Sequence, residues 1–238
     1  MHALTRVLPR LLRDTSGVAM VEFAWTLPIV LACGSYGIEC ANLALMNLRV
    51  SQLALNLADN ASRVGVNSSL STQQLREVDV NDVLQSIRVQ ANNIGLTTRG
   101  RIILSSLENV QQSYDTAPVQ RIHWQRCLGL KGSLPADAPA YATRYGPVST
   151  TAGSDNTQAN AGIAKPANLN VDVPAGAGAM IVEINYETKP LFGSMFLSPK
   201  TLRYVASFII RDRRDFSQLF NPVTNPVTPR STCDLYSA

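Results

Sequence analysis

The sequence predicts an α+β protein with a long N-terminal helix, a second helix, and an antiparallel sheet of about four strands broken by a long irregular loop. Three patterns carry this prediction. Val18 to Leu48 consists mostly of Ala, Val, Leu, Ile and Met. Apolar residues then recur every three or four positions as far as Val64, and again between Ser71 and Ile94, which is helical periodicity. Met180 to Glu187 and Leu202 to Ile210 alternate apolar and polar residues, the period of strands with one buried face.

Residues 1–17 form a basic leader, with Arg6, Arg10 and Arg13 against Asp14. Arginines before an apolar run keep that end of the chain in the cytoplasm, so the part beyond about residue 45 is expected across the membrane. The long helix is placed at residues 18–64, with its transmembrane half at about 20–45, and would measure about 70 Å at about 1.5 Å per residue. Sixteen uncharged residues lie between Glu22 and Glu39. They extend about 24 Å, short of a bilayer core of roughly 30 Å, so the span takes in one of the two glutamates. A carboxylate within a span costs roughly 2.5–3.5 kcal/mol on insertion scales and is normally kept for a partner or a task.

Three readings of this terminus are open. A cleaved secretory signal needs an uninterrupted apolar core and a small-x-small exit, and Glu22 and Pro28 interrupt the core here. A lipoprotein signal would use Val30-Leu31-Ala32 before Cys33, with Leu31 bulky for its position. A prepilin leader would end at Gly17, leaving Val18 as the new N-terminus and Glu22 as the fifth residue of the mature chain.

The stretch from Gly17 to Glu22 resembles the G-x-x-x-x-E processing site of type IV pilin-like proteins, and Glu22-Phe23 resembles the Glu-Phe/Tyr pair of their Flp-type branch. Three further segments are similar to the periplasmic part of TadE-like (TadE/TadG family) pseudopilins of the tight-adherence pilus. They are Trp124-Gln125-Arg126-Cys127, the strand from Met180 with the following Lys189-Pro190-Leu191-Phe192, and the C-terminal strand after Ser198-Pro199. About residues 10–60 carry the stronger match. The resemblance implies a single-pass minor pseudopilin of the bacterial inner membrane, cut by a prepilin peptidase, that helps assemble Flp-type pili. Its implied partners are other Flp-type pilins or pseudopilins, the inner-membrane assembly platform and membrane lipid. Val18 departs from the methylated phenylalanine typical of classical pilins.

Cleavage after Gly17 would remove the leader arginines and create an α-amine at Val18. Glu22 of one subunit could then pair with the Val18 amine of the next, offsetting the burial of both charges and fixing an axial register. The same two residues lie four apart on one helix, so a pair within one chain is also open. Glu39, near the outer end of the span, has two readings as well: a helix-packing contact with a neighbouring pilin or assembly protein, or a carboxylate among the lipid headgroups. Pro28, Gly34 and Gly37 mark either a flexible, close-packing stretch or ordinary membrane-helix residues.

Past the membrane, Met46, Val50, Leu53, Leu57, Ala61 and Val64 form one stripe, with Asn47, Arg49, Gln52, Asn56 and Arg63 between them. This amphipathic half should pack on an extracytoplasmic domain, residues 65–238. The second helix is expected over Ser71 to Ile94, with Ser71 and Gln74 at capping-box spacing and Gly95 as its stop. Ile102 to Leu107 and Val119 to Arg126 supply the first two strands, joined through Asn109 to Pro118. Residues 128–178 turn to Ala, Gly, Pro, Ser, Thr and Asn and predict a surface loop that buries little, partly ordered around Tyr141 to Val148 and mobile from Ser149 to Asn170. A Pro-rich tail occupies residues 221–238.

Cys33 and Cys40 lie roughly 10 Å apart along the membrane helix, too far for a bond within it, and read as small packing residues. Cys127 and Cys233 both fall on the outer side, where oxidation is favoured. A disulfide between them would tie the tail back to the second strand and, by closing a loop of about a hundred residues, contribute on the order of 4 kcal/mol.

Catalysis finds little footing in these residues. His123 is the only histidine outside the leader, and its strand position favours a structural or surface role. No Cys or His spacing suits zinc, and Gly176 and Gly178 lack the third glycine and following helix of a dinucleotide loop. Arg211 to Asp215 reads as a solvated strand end. The net charge is +4, of which the leader's three arginines less Asp14 supply +2, leaving no electrostatic footprint for nucleic acid. One apolar span argues against a channel or transporter. A structural subunit with no enzyme activity and no cofactor is therefore expected. The alternative is an unprocessed, single-pass anchored extracytoplasmic binding or surface protein; an anchored hydrolase would need polar residues to converge within 128–178.

Overall fold

The structure, a computed structural model, describes residues 17–65, 73–143, 145, 163–210, 213–221 and 226–238. The chain is α+β, with helix α1 at Val18–Arg63, strand β1 at Gln73–Arg76, α2 at Glu77–Gln90, a 3-10 turn at Asn92–Ile94 and α3 at Leu96–Arg99. There follow β2 (Gly100–Val110), β3 (Val119–Ile122), β4 (Gln125–Leu128), α4 (Ala138–Tyr141), β5 (Ile163–Ala164), β6 (Gly178–Glu187), β7 (Thr201–Ile210) and β8 (Arg214–Phe220). Two compact units result: the described residues up to Leu45 with Lys189–Ser198, and Met46–Thr188 with Pro199–Ala238.

The first unit holds the membrane-length part of α1. Its most apolar 18-residue window has a mean hydropathy of 1.6 and is wholly unburied, so it is a candidate single membrane span. The helix continues through Pro28, which gives up one backbone donor there.

The second unit is built on an antiparallel sheet in the order β5-β3-β2-β6-β7, with β4 also paired to β2. Along one edge β2 pairs with β6 from Gly100↔Tyr186 to Glu108↔Gly178. Its other edge takes β4 near Ile102–Ser105 and β3 near Glu108–Val110. The strand expected over Val119 to Arg126 is thus two strands. The break falls at His123-Trp124, where the Ser106 N–H donates to the Trp124 carbonyl at 3.1 Å and the Ser106 hydroxyl accepts from the Trp124 N–H at 3.3 Å. This places the Trp124 ring in the core, 1% exposed.

The expected stripe of α1 does pack on this unit. Val50, Leu57 and Ala61 are buried in one cluster with Val80, Leu84 and Ile87 of α2 and Ile102, Leu104, Val182 and Ile184 of the sheet, while Met46, Leu53 and Val64 pack against it half-buried. Other expectations need correction. The second helix starts at Glu77, because Gln73–Arg76 pairs in parallel with β8 instead of coiling. Gln74 therefore lies in a strand, Ser71 lies outside the described residues, and Arg76 at the N-cap makes no side-chain cap. Gly95 does act as a stop, in the left-handed conformation at φ 62°, but for the 3-10 turn and not for α2.

Of the strand end expected to be solvated, Arg211 and Asp212 lie outside the described residues, and the rest is not solvated throughout: Arg214 is buried and, beyond it, Phe216 and Leu219 enter the core. Gly178 serves that packing, since a Cβ on it would overlap the Phe216 ring. Nor is β6 buried on one face only, because Ile181, Glu183 and Asn185 are buried as well. Their cover comes from the segment expected to bury little. Leu169 and Val173 form a second cluster with Leu107, Ile122 and Ile181, Asn185 donates to the Tyr141 carbonyl at 3.3 Å, and the Thr143 hydroxyl donates to Glu183. Residues 146–162, where most of the mobile stretch was expected, lie outside the described residues.

Cys127 and Cys233 form a disulfide. The tail it ties down is packed further by the Cys127 N–H donating to the Ser231 carbonyl at 2.7 Å and the Gly129 N–H donating to the Ser237 carbonyl at 2.8 Å.

Candidate functional site

Gly17 and Val18 stand at the start of α1. The Val21 N–H donates to the Gly17 carbonyl at 3.2 Å, so Gly17 closes the first helical turn from outside. A Cβ on Gly17 would meet nothing within 4 Å, and its φ is not in the left-handed region. Among the described residues there is therefore no steric need for glycine at this position. Val18 is 48% exposed and Phe23 60%.

Glu22 is exposed in the second turn. Its carboxylate makes no hydrogen bond or ion pair to another described residue, while its carbonyl accepts from the Thr26 hydroxyl at 2.9 Å. A carboxylate with no partner among the described residues, set among Met20, Val21, Phe23 and Trp25, all more than half exposed, is costly in a bilayer unless a partner meets it. Val18 and Glu22 share a face one turn apart, which leaves both pairings of the Val18 amine geometrically accessible.

Glu39 differs from Glu22 in every respect. It is 2% exposed. Its two oxygens accept from the Leu191 N–H at 3.1 and 2.9 Å, and Oε2 also accepts from the Phe192 N–H at 3.2 Å. Two successive backbone N–H groups turned on one carboxylate make a small anion-binding concavity. Tyr36, one turn back, meets Phe196 edge to face at 6.3 Å between centroids, and Phe196 meets Phe192 in the same way at 6.0 Å. All these residues belong to the first unit. The structure thus gives Glu39 a partner within its own chain, which neither sequence reading supplied. One signal could have found it: Leu191, Phe192, Met195, Phe196 and Leu197 are apolar where the connection between two antiparallel strands is ordinarily polar and turn-forming.

Cys33 is exposed and Cys40 partly so, both with free thiols. Gly34 and Gly37 have open space among the described residues where a Cβ would stand.

Among its described residues the second unit offers no comparable set. His123 is buried with Nε2 3.2 Å from Glu108 Oε2. Among the described residues no group of three His, Cys, Asp or Glu could hold a metal ion. A cavity of about 110 Å³ beside the disulfide is lined in part by Arg101, Lys131, Tyr141 and Tyr236. Its cations have partners: Arg101 donates to the carbonyls of Gly129, Cys233 and Leu235 at 2.7, 2.7 and 2.9 Å, and Lys131 Nζ lies 2.6 Å from Glu187. Burial lowers the pKa of Arg101, and the Glu187 contact raises that of Lys131.

Comparison with models of protein families, with curated proteins and with solved structures finds no match for this chain. The functional reading therefore rests on the resemblance carried by Gly17 to Phe23 and the segments named with it.

Proposed function

We propose that the protein is a TadE-like minor pseudopilin. In this reading α1 holds it in the bacterial inner membrane with the N-terminus cytoplasmic, a prepilin peptidase cuts between Gly17 and Val18, and the mature chain contributes as a structural subunit to assembly of Flp-type pili. Its partners would be other pilins or pseudopilins and the assembly platform, and its role would be non-catalytic.

One observation carries the reading: an exposed Glu22, with no partner among the described residues, stands five residues after a glycine that the described residues do not sterically require, at the start of an exposed apolar helix. A peptidase that selects glycine before its cut accounts for Gly17. An amine freed at Val18 accounts for Glu22, because pairing offsets the cost of placing either charge in lipid.

The test is the intact mass of the membrane-extracted protein, made with and without a cognate prepilin peptidase. A chain starting at Val18 only when the peptidase is present is expected. A full-length chain in both preparations would overturn the reading in favour of a permanently anchored protein, and a lipid-modified chain starting at Cys33 would replace it with a lipoprotein.

A further inference from the structure

We propose that the β6–β7 connection, Lys189–Ser198, is a membrane-inserting loop that buries its apolar side chains in the bilayer leaflet at the far end of the α1 span. This rests on the membrane-span part of the preceding reading and not on leader processing.

Leu191, Phe192 and Met195 are 58%, 43% and 78% exposed. Large apolar side chains at the tip of a strand connection stay in water at a cost, and a contiguous set of them marks a protein or membrane contact. Their position selects the membrane. The loop forms one compact unit with the part of α1 that is apolar on all sides, not with the sheet-bearing unit. Glu39 lies 21 residues after Val18, about 30 Å along a helix and so near the far boundary of a bilayer core counted from Val18. Tyr36 is one turn closer to Val18, and Phe196 packs on it. The loop therefore reaches past Glu39 towards the hydrocarbon side.

Two electrostatic features agree. Backbone donors near lipid need acceptors within the protein, and the Glu39 carboxylate satisfies those of Leu191 and Phe192. Lys189 and Lys200, at the two ends of the loop in sequence, are exposed, and residues 188–203 contain no acid. That leaves cations to meet lipid phosphates beside the inserted residues.

The experiment uses the full chain in lipid vesicles, with Cys33→Ser and Cys40→Ser and the Cys127–Cys233 disulfide intact. A nitroxide is attached in turn at Met195→Cys, at Val30→Cys in the span and at Ser113→Cys in the β2–β3 connection. The collision rates of each with oxygen, which concentrates in lipid, and with a water-soluble nickel chelate are then measured. The oxygen-to-nickel ratio at 195 is expected to match that at 30 and to exceed that at 113 several-fold. An aqueous 195 with a lipid-exposed 30 would overturn the loop alone. Aqueous 30 and 195 together would overturn the membrane reading itself. A position 195 shielded from both quenchers would mean that a protein surface, such as a second copy, covers the loop, and would also overturn the proposal.

Discussion

Arg126 donates to both carboxylate oxygens of Glu77, fastening β4 to the first turn of α2 with both side chains fully buried. The Nε–Oε2 separation is 3.1 Å, and Arg230 Nε stands 3.9 Å from Glu77 Oε1. Loss of one partner from such a pair strands the other charge in a dry interior. Arg126→Met is therefore expected to destabilise the chain by about 3–5 kcal/mol, and adding Glu77→Leu should recover most of that loss. Denaturant unfolding of the full chain in detergent, followed by near-ultraviolet circular dichroism of the buried Trp124, measures both.

Removing the disulfide should act on the tail first. Arg101 takes two of its three carbonyl acceptors from Cys233 and Leu235, so freeing the tail also exposes a buried guanidinium. Cys127→Ala with Cys233→Ala is expected to cost about 2–5 kcal/mol and to make the chain cleavable near residue 230 in limited proteolysis, read by mass.

At the N-terminus, fold and function should separate. Gly17→Leu meets open space and is expected to leave the unfolding curve unchanged while abolishing cleavage by a prepilin peptidase. Glu22→Ala should be expressed and cut normally but fail in pilus assembly. Assembled pili in a Glu22→Ala strain, seen by electron microscopy, would remove Glu22 from the mechanism.

Glu39→Leu should loosen the loop from α1, because two part-buried backbone donors lose their acceptor, at a cost of about 1 kcal/mol for each hydrogen bond lost. The amide protons of Leu191 and Phe192 are expected to exchange faster in hydrogen-exchange mass spectrometry, while β2 and β6 keep their protection.

The Asp115 carboxyl is held below the ordinary carboxylate range, first by the Gln112 N–H at 3.0 Å and then by Arg121. A depressed folded value means that the group's stabilising effect is present above the unfolded pKa, about 3.9, and is lost as pH falls through the lower folded value. Protection of the Gln112 amide should accordingly hold from neutral pH down past the ordinary carboxylate value and disappear only as pH falls through the lower folded value, as amide exchange followed by NMR would report.

The same contrast between local and distant information governs what could be read in advance. The apolar run after the arginines, the stripe from Met46 to Val64 and the period of Met180 to Glu187 are local patterns, so the chain's own periodicity determined a long helix, a candidate membrane span and an antiparallel sheet. The expectation that Cys127 and Cys233 share one compartment beyond the apolar run was enough to pair them, and they do form a disulfide. Tertiary structure alone decided the rest. Gln73–Arg76 is a strand only because β8 lies beside it, β6 is buried on both faces only because Leu169, Val173 and Tyr141 fold back over it, and Glu77 and Arg126 can be buried only together. Glu39 makes the point most directly, since it is matched by backbone N–H groups 152 and 153 residues away. Main-chain donors carry no signature in residue type, so no sequence pattern near Glu39 could announce them, and only the folded chain brings them within reach.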